Sequence, residues 1–247
     1  MGFEGKVAVV TGGGSGIGRA TCEVLSGYGA KIMVLDIDEK AGQETVSRLS
    51  GQGSIAAFQD SDVTEWQSVQ DAFSATVQRL GRVDIVVNCA GVLTHSLIEN
   101  TEPTDWKRVL DVNLNGAFYV TKAAFAAMGV DGGSIVHLAS RMALRVKEGH
   151  GAYAAAKAGV MQLACMAALE GAPRKIRVNC ICPGMIDTPM NWIAYGPEAF
   201  EGWKAICPQK RVGRPEEIAE VIAFLASEKA SYITGAVLPI DGGRTLL

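Results

Sequence analysis

Val7-Ala8-Val9-Val10-Thr11-Gly12-Gly13-Gly14-Ser15-Gly16-Ile17-Gly18 passes from four apolar residues straight into a glycine-rich turn. A short apolar run closed by glycines reads as a strand buried on both faces, and residues 16–28 carry on as a helix. Glycine lets the turn take positive φ and lets a ligand approach the backbone. The helix start then offers unpaired N–H groups and positive dipole potential, which together suit a pyrophosphate. The strict G-x-G-x-x-G register is not kept: counted from Gly12, the sixth residue is Ile17, and the turn reads T-G-x-x-x-G-x-G. Its place between strand and helix favours a nucleotide site over a plain connecting loop.

Outward from that turn the chain alternates. Val7–Val10, Lys31–Leu35, Ser54–Phe58, Asp84–Val87, Ser134–Leu138, Arg177–Ile181 and Ala236–Ile240 read as strands. Helical patterns fill 16–28, 38–50, 64–80, 103–128, 151–170 and 214–227. Continuous apolar strands alternating with helices predict an α/β, doubly wound parallel sheet covered on both faces. No repeat and no low-complexity linker divides residues 1–247, so one domain is expected. Residues 89–102 and 183–213 break the rhythm; the second stretch holds Pro183, Pro189, Pro197 and Pro208 and has no clean periodicity. It follows the sixth strand, at the edge where ligands bind in open α/β sheets. A substrate lid near 185–212 is the favoured reading, and a rigid loop packed on a second subunit is the alternative.

Asp36 ends the second strand, eighteen residues beyond Gly18. A carboxylate there accepts from ribose hydroxyls and repels a 2′-phosphate, and neighbouring Ile37 brings no cation, so NAD is favoured over NADP. Arg19, close to the turn, is the opposing signal. Asp62 and Val63, after the third strand, are candidates to border adenine, although Asp62 equally suits a helix cap near Thr64.

The chemistry-bearing residues lie later. Tyr153 and Lys157 stand four apart in an alanine-rich stretch, with Ser140 thirteen positions before the tyrosine. Residues i and i+4 share a helix face. A cation about 4 Å from a phenol, at an effective dielectric of about 20, lowers its pKa by up to roughly 3 units before desolvation is subtracted. That would bring a tyrosine into acid/base range near neutral pH.

Composition narrows the partners. Net charge is −3 over 247 residues with the signs interspersed, so neither nucleic acid nor an anionic membrane is expected as a partner. The N-terminus carries no leader pattern, and a cytoplasmic protein is expected. The six cysteines are scattered at 22, 89, 165, 180, 182 and 207; Cys180 and Cys182 would share one side of a strand without the second pair a zinc site needs. Free thiols and no metal are expected.

Taken together, the glycine turn at 11–18, Asn88-Cys89-Ala90-Gly91, Asn113, Ser140, the Tyr153/Lys157 pair, Pro183-Gly184 with Thr188, and Asp241-Gly242-Gly243 resemble a short-chain dehydrogenase/reductase along essentially the whole chain. The resemblance implies a Rossmann-type sheet of about seven strands, a nicotinamide cofactor, and a homotetramer or homodimer. It implies Tyr153 as general acid/base, Lys157 on the nicotinamide ribose, Ser140 on the substrate oxygen, and Asn113 holding Lys157 and a relay water. Cofactor contacts are implied for Gly12, Ser15, Gly16, Ile17 and Gly18, for Asn88, Ala90 and Gly91, and for Pro183, Gly184, Ile186 and Thr188. Cys89 departs from the asparagine usual there, Ala139 from a second serine, and His137 from asparagine; His137 is given no catalytic role.

Several residues remain open. His95 and His150 either line the pocket or lie on the surface. Arg141, Arg145 and Lys147 either attract an anionic substrate or form a solvated loop. Met142, Leu144, Met190, Trp192 and Trp203 are candidate apolar walls. Ala154–Leu169 is apolar nearly all round, which calls for cover on more than the sheet side and so for a second copy of the chain. The favoured activity is NAD-dependent interconversion of a small-molecule secondary alcohol and a ketone. The alternatives are an NADP-dependent carbonyl or 3-oxoacyl reductase, or a non-catalytic dinucleotide sensor. An enoyl reductase would want lysine at position 160, where this chain has Val.

Overall fold

A computed structural model describes residues 1–247. Seven parallel strands form one sheet in the order β3-β2-β1-β4-β5-β6-β7. They are β1 (Val7–Thr11), β2 (Lys31–Asp36), β3 (Ala56–Asp60), β4 (Ile85–Asn88), β5 (Gly133–Leu138), β6 (Ile176–Pro183) and β7 (Val237–Ile240). The helices are α1 (Gly16–Gly27), α2 (Glu39–Gly51), α3 (Trp66–Leu80), α4 (Pro103–Leu110), α5 (Gly116–Ala127), α6 (Gly151–Gly171), α7 (Pro189–Ile206) and α8 (Pro215–Ala226).

The period-2 geometry of a strand sorts the core into two layers. Val9, Met33, Leu35, Val86 and Ile135 point to one face and pack with Val69 and Phe73 of α3, Val120 of α5 and Val160 of α6. Ala8, Val10, Ile32, Val34 and Val87 point to the other, against Leu25 of α1, Leu49 of α2, and Ile218 and Ile222 of α8. Cys180 and Cys182 both lie in the first layer, as alternate residues of β6 must. β7 sits at the edge, half-exposed, and tolerates Pro239 because an edge strand does not need every N–H.

The chain leaves β1 toward β2 and β3, then returns to β4 on the opposite side of β1. Strand order therefore reverses between β1 and β4, and a crevice opens beyond their carboxyl ends.

Three departures from the sequence pattern have local causes. β3 begins at Ala56, two residues late, because Ser54 and Ile55 still close the end of α2: Ser54 N–H donates to Leu49 O and its hydroxyl pairs with Ser26. The expected helix over 103–128 is broken by a π-turn at Asp111–Asn115, where Gly116 N–H reaches back five residues to Asp111 O. Residues 183–213, read as irregular, hold the 18-residue helix α7. Thr188 caps it, Pro189 occupies its first turn, and Gly196 (φ 67°) ahead of Pro197 kinks it. That kink erased the periodicity a straight helix would have shown.

Candidate active site

A cavity of about 380 Å³ runs along the carboxyl edge, and every strand from β1 to β6 delivers residues to it. At one end lies the glycine turn. Gly12 and Gly16 adopt φ of 63° and 49°, which side-chain-bearing residues avoid. Ser15 makes no side-chain cap on α1, and the first turn carries no acidic residue, so the opening N–H groups stay free for an anion. Gly12, Ser15, Gly16, Ile17 and Gly18 all line the cavity.

Asp36 borders the same end. Its carboxylate accepts from Gly14 N–H (2.8 Å) and Asp38 N–H (3.0 Å), which fixes it at the tip of β2. Arg19 turns away: its guanidinium donates to Gly14 O, Thr45 Oγ1 and Glu44 Oε1, tying α1 to α2. Asp62 and Val63 also line the cavity. Asp62 nevertheless does the capping job too, accepting from Thr64 N–H (2.8 Å) and Thr64 Oγ1 (2.7 Å). Ser61, which the sequence did not single out, contributes a buried hydroxyl with no partner.

Ala90 and Gly91 line the cavity, whereas Asn88 does not. Its side chain instead joins a buried polar chain below the floor. Ala90 N–H donates to Thr11 Oγ1 (3.1 Å), which donates to Asn88 Oδ1 (2.8 Å). Asn88 Nδ2 faces His137 Nδ1 (3.5 Å), and His137 Nε2 meets Thr121 Oγ1 (3.0 Å), whose hydroxyl donates to Ala117 O. Donor bookkeeping puts the imidazole proton on Nε2. Burial holds the His137 pKa down at about 4, so the ring stays neutral. Asn88 thus braces the tips of β1, β4 and β5.

The other end gathers Asn113, Ser140, Tyr153 and Lys157. α6 presents Tyr153 and Lys157 on one face, the tyrosine half-buried at the cavity wall and the ammonium buried, donating to Leu138 O at 2.8 Å. The Lys157 nitrogen lies 5.7 Å from the centre of the Tyr153 ring. The expectation that this cation lowers the phenol is overturned in the free protein. Burial pushes Tyr153 up to about 12, with the Ser140 hydroxyl opposing it, and pushes Lys157 down to about 8. Desolvation penalises both charged forms at once and is the largest influence on each.

The π-turn places Asn113. Its Nδ2 donates to Val109 O and Val92 O, both at 2.9 Å, which leaves Oδ1 buried without a partner. A Cβ on Gly91 would sit 2.7 Å from that oxygen and 3.4 Å from Lys157 Nζ. The absence of a side chain at 91 keeps this donor–acceptor niche open. With the unobstructed glycine turn, the fixed Asp36 carboxylate and the unpaired Ser61 and Asn113 groups, the residues present fit a dinucleotide along the whole cavity.

Pro183, Gly184, Ile186 and Thr188 form the rim on the β6 side. Met142, Met190 and Trp203 are walls, as expected, but Leu144 and Trp192 are not; Trp192 stacks on Phe200 at 3.9 Å and donates to Asp187. Arg141 lines the cavity while Arg145 and Lys147 stay outside it, in solvent. Tyr195 was missed because its helix was missed: on α7, Asn191 and Tyr195 are i and i+4 and both face inward. His150, buried behind it, lies with Nδ1 2.8 Å from Glu148 O and so donates there, leaving Nε2 to accept the Tyr195 hydroxyl at 2.7 Å. His95 is exposed, packed edge-on against His150.

Comparison with known proteins gives the chain a family. A family model described as enoyl-(acyl carrier protein) reductase matches residues 12–245. The 3-oxoacyl-(acyl-carrier-protein) reductase FabG of Thermotoga maritima is 38% identical, over 100% of both chains. The chain belongs to the short-chain dehydrogenase/reductase family. This short-chain dehydrogenase/reductase is also 36% identical to trans-4-hydroxycyclohexanecarboxylate dehydrogenase of Sinomonas cyclohexanicum, over 97% of this chain and 93% of that protein. Its fold matches the crystal structure of gox2181 with a TM-score of 0.96 at 37% identity, covering 100% of this chain and 98% of that one. It is accordingly an oxidoreductase, of a family that uses a nicotinamide dinucleotide.

Proposed function

We propose that the protein interconverts a secondary alcohol and a ketone with NAD, Tyr153 serving as general acid/base. The observation that carries this reading is the meeting of Ser140, Tyr153, Lys157 and Asn113 at one end of a cavity whose far end is a glycine turn. A dinucleotide sensor needs only the turn; it has no use for a phenol, an amine and a hydroxyl gathered around one point.

NAD, when bound, supplies the hydride acceptor at the catalytic end. Ser140 holds the substrate oxygen by a hydrogen bond. Tyr153 exchanges the proton on that oxygen, giving it in the reducing direction and taking it in the oxidising one. A phenol held near pKa 12 is still a stronger acid than an alcohol and donates readily to a developing alkoxide, and Lys157, protonated below about pH 8, supplies the cation beside it. Asn113 Oδ1, buried and unpaired, is placed to take a water or ribose hydroxyl next to Lys157. The apolar walls Met142, Met190 and Trp203 suit a substrate with an apolar body. Residues 185–212, chiefly α7, are read as its cover, tied down through Tyr195 to His150.

Asp36 supports NAD over NADP. A 2′-phosphate would approach a carboxylate flanked by exposed Ile37, and the nearest guanidinium, that of Arg19, is already engaged by Glu44, Thr45 and Gly14. Val160 argues against the enoyl-reductase alternative. A second copy of the chain is the proposed cover for α6, which leaves Met166 and Leu169 48% and 72% exposed on an otherwise apolar helix.

Three measurements bear on this reading. Tyr153→Phe should lower alcohol oxidation by NAD at least about 100-fold while NADH binding is retained; full turnover in that variant removes the assigned acid/base. Fluorescence titration should show NADH binding more tightly than NADPH, with Asp36→Ala narrowing the gap; the opposite order refutes the role of Asp36. Sedimentation at micromolar concentration should give a multiple of the 26.0 kDa chain mass, and a single-chain mass rules out the covered helix.

A further inference from the structure

Arg141 is the one charged side chain of the catalytic end for which the reaction as read above has no use. It is only 8% exposed, lines the cavity directly after Ser140, and lies 5.4 Å over the Trp203 ring. Its only side-chain hydrogen bond is a long contact of 3.8 Å to the Met142 sulfur. It takes part in no ion pair. A guanidinium carries five N–H donors in a planar fork, and burying it with those donors unused is costly.

The neighbouring charges do not relieve it. Arg244 lies within electrostatic reach and has a buried Nε without a partner. Asp241 is also near, but both its oxygens are occupied: Gly243 N–H donates to one, and Thr245 N–H and Oγ1 donate to the other. Arg244 Nη1 donates to Leu247 O (3.0 Å), and neither Arg244 nor the engaged Asp241 offers the Arg141 fork a free acceptor. The remaining walls are apolar or phenolic: Met142, Met190, Trp203 and Tyr195.

We propose that Arg141, supported by Arg244, binds a carboxylate on the substrate, so that the preferred substrates are small secondary hydroxy acids and their oxo acids with an apolar body between the two groups. A planar carboxylate takes two parallel bonds from the fork. A phosphate dianion fits less well, because Asp241 would repel its second charge. The proposal rests on the reading of Tyr153 as acid/base at the alcohol and adds where the other end of the substrate is held.

The test compares 3- and 4-hydroxycyclohexanecarboxylate with their carboxamides and with cyclohexyl-ring alcohols bearing a phosphate, using NAD as oxidant. The wild type should turn over the acids with the higher kcat/KM. In Arg141→Leu the acid-to-amide ratio should fall about 30-fold, the size expected for one charged hydrogen-bonded pair, chiefly through KM. Arg141→Lys, which keeps the charge and loses the fork, should fall between the two and guards against misfolding of the leucine variant. Calorimetry with cyclohexanecarboxylate, which has no hydroxyl to oxidise, in the presence of NADH should show binding that Arg141→Leu abolishes.

Equal rates on acid and amide in the wild type overturn the proposal, as does preference for the phosphate or an equal loss on acid and amide in Arg141→Leu. Turnover of amides without any acid preference sinks this inference alone. Calorimetric binding of the acid with no turnover of any alcohol leaves the carboxylate site standing and removes the reading of Tyr153.

Discussion

The structure depends on burying a primary amine against the carbonyl of Leu138. Lys157 must leave water to reach that oxygen, and the rest of the site is arranged around the cost. α6 packs one face on the sheet and carries Lys157 inward from it, with Tyr153 beside it at the cavity wall. β5 ends at Leu138 so that a carbonyl is free to accept. The π-turn at Asp111–Asn115 brings an amide oxygen to the same niche, and Gly91 puts no side chain there. Desolvation then acts on both partners, raising the phenol to about 12 and lowering the amine to about 8. The favourable effect of a neighbouring cation on a phenol, up to roughly 3 units on a Coulomb argument before desolvation is subtracted, does not offset the desolvation that raises Tyr153 here.

Charge is divided along the cavity. Asp36 and Asp62 mark the glycine-turn end, Lys157 and Arg141 the other. Between them the walls are backbone and apolar side chains. Such an arrangement orients an elongated, polar-ended cofactor without a dense set of hydrogen bonds, and it leaves cationic character where the substrate enters. His137 and Cys89, near the centre, are held neutral by burial, so they perturb this division little.

Much of this was legible in the residues. Strands buried on both faces show as unbroken apolar runs, and a phosphate-accepting turn needs glycines that no other residue can replace, so the sheet and the 11–18 turn stand out. Tyr153 and Lys157 follow from helical spacing, and Ser140 from its place at a strand end. What stayed hidden depended on distant contacts. Asn88 has the right type for a ligand contact, but Thr11 and His137 draw its amide beneath the floor. Arg141 and Arg145 read alike as a basic cluster; only packing against Trp203 distinguishes the one that turns inward. α7 was lost because Gly196 and Pro197 interrupt its period, and Tyr195 was lost with it. The π-turn has no compositional mark at all.

The central claim is that Lys157 is held with its charged form penalised. The unfolded chain keeps that proton to about pH 10.5, whereas the native site gives it up near pH 8, so between those values the native state binds fewer protons and gains stability as pH rises. Unfolding free energy measured in urea from pH 7 to 10, for the wild type and for Lys157→Met, tests this directly. Below pH 8 the difference between the two proteins should be flat; from pH 8 to 10 the wild type should gain on the variant by on the order of 1 kcal/mol per pH unit. Parallel curves across the whole range, or a wild type that loses ground above pH 8, would contradict it.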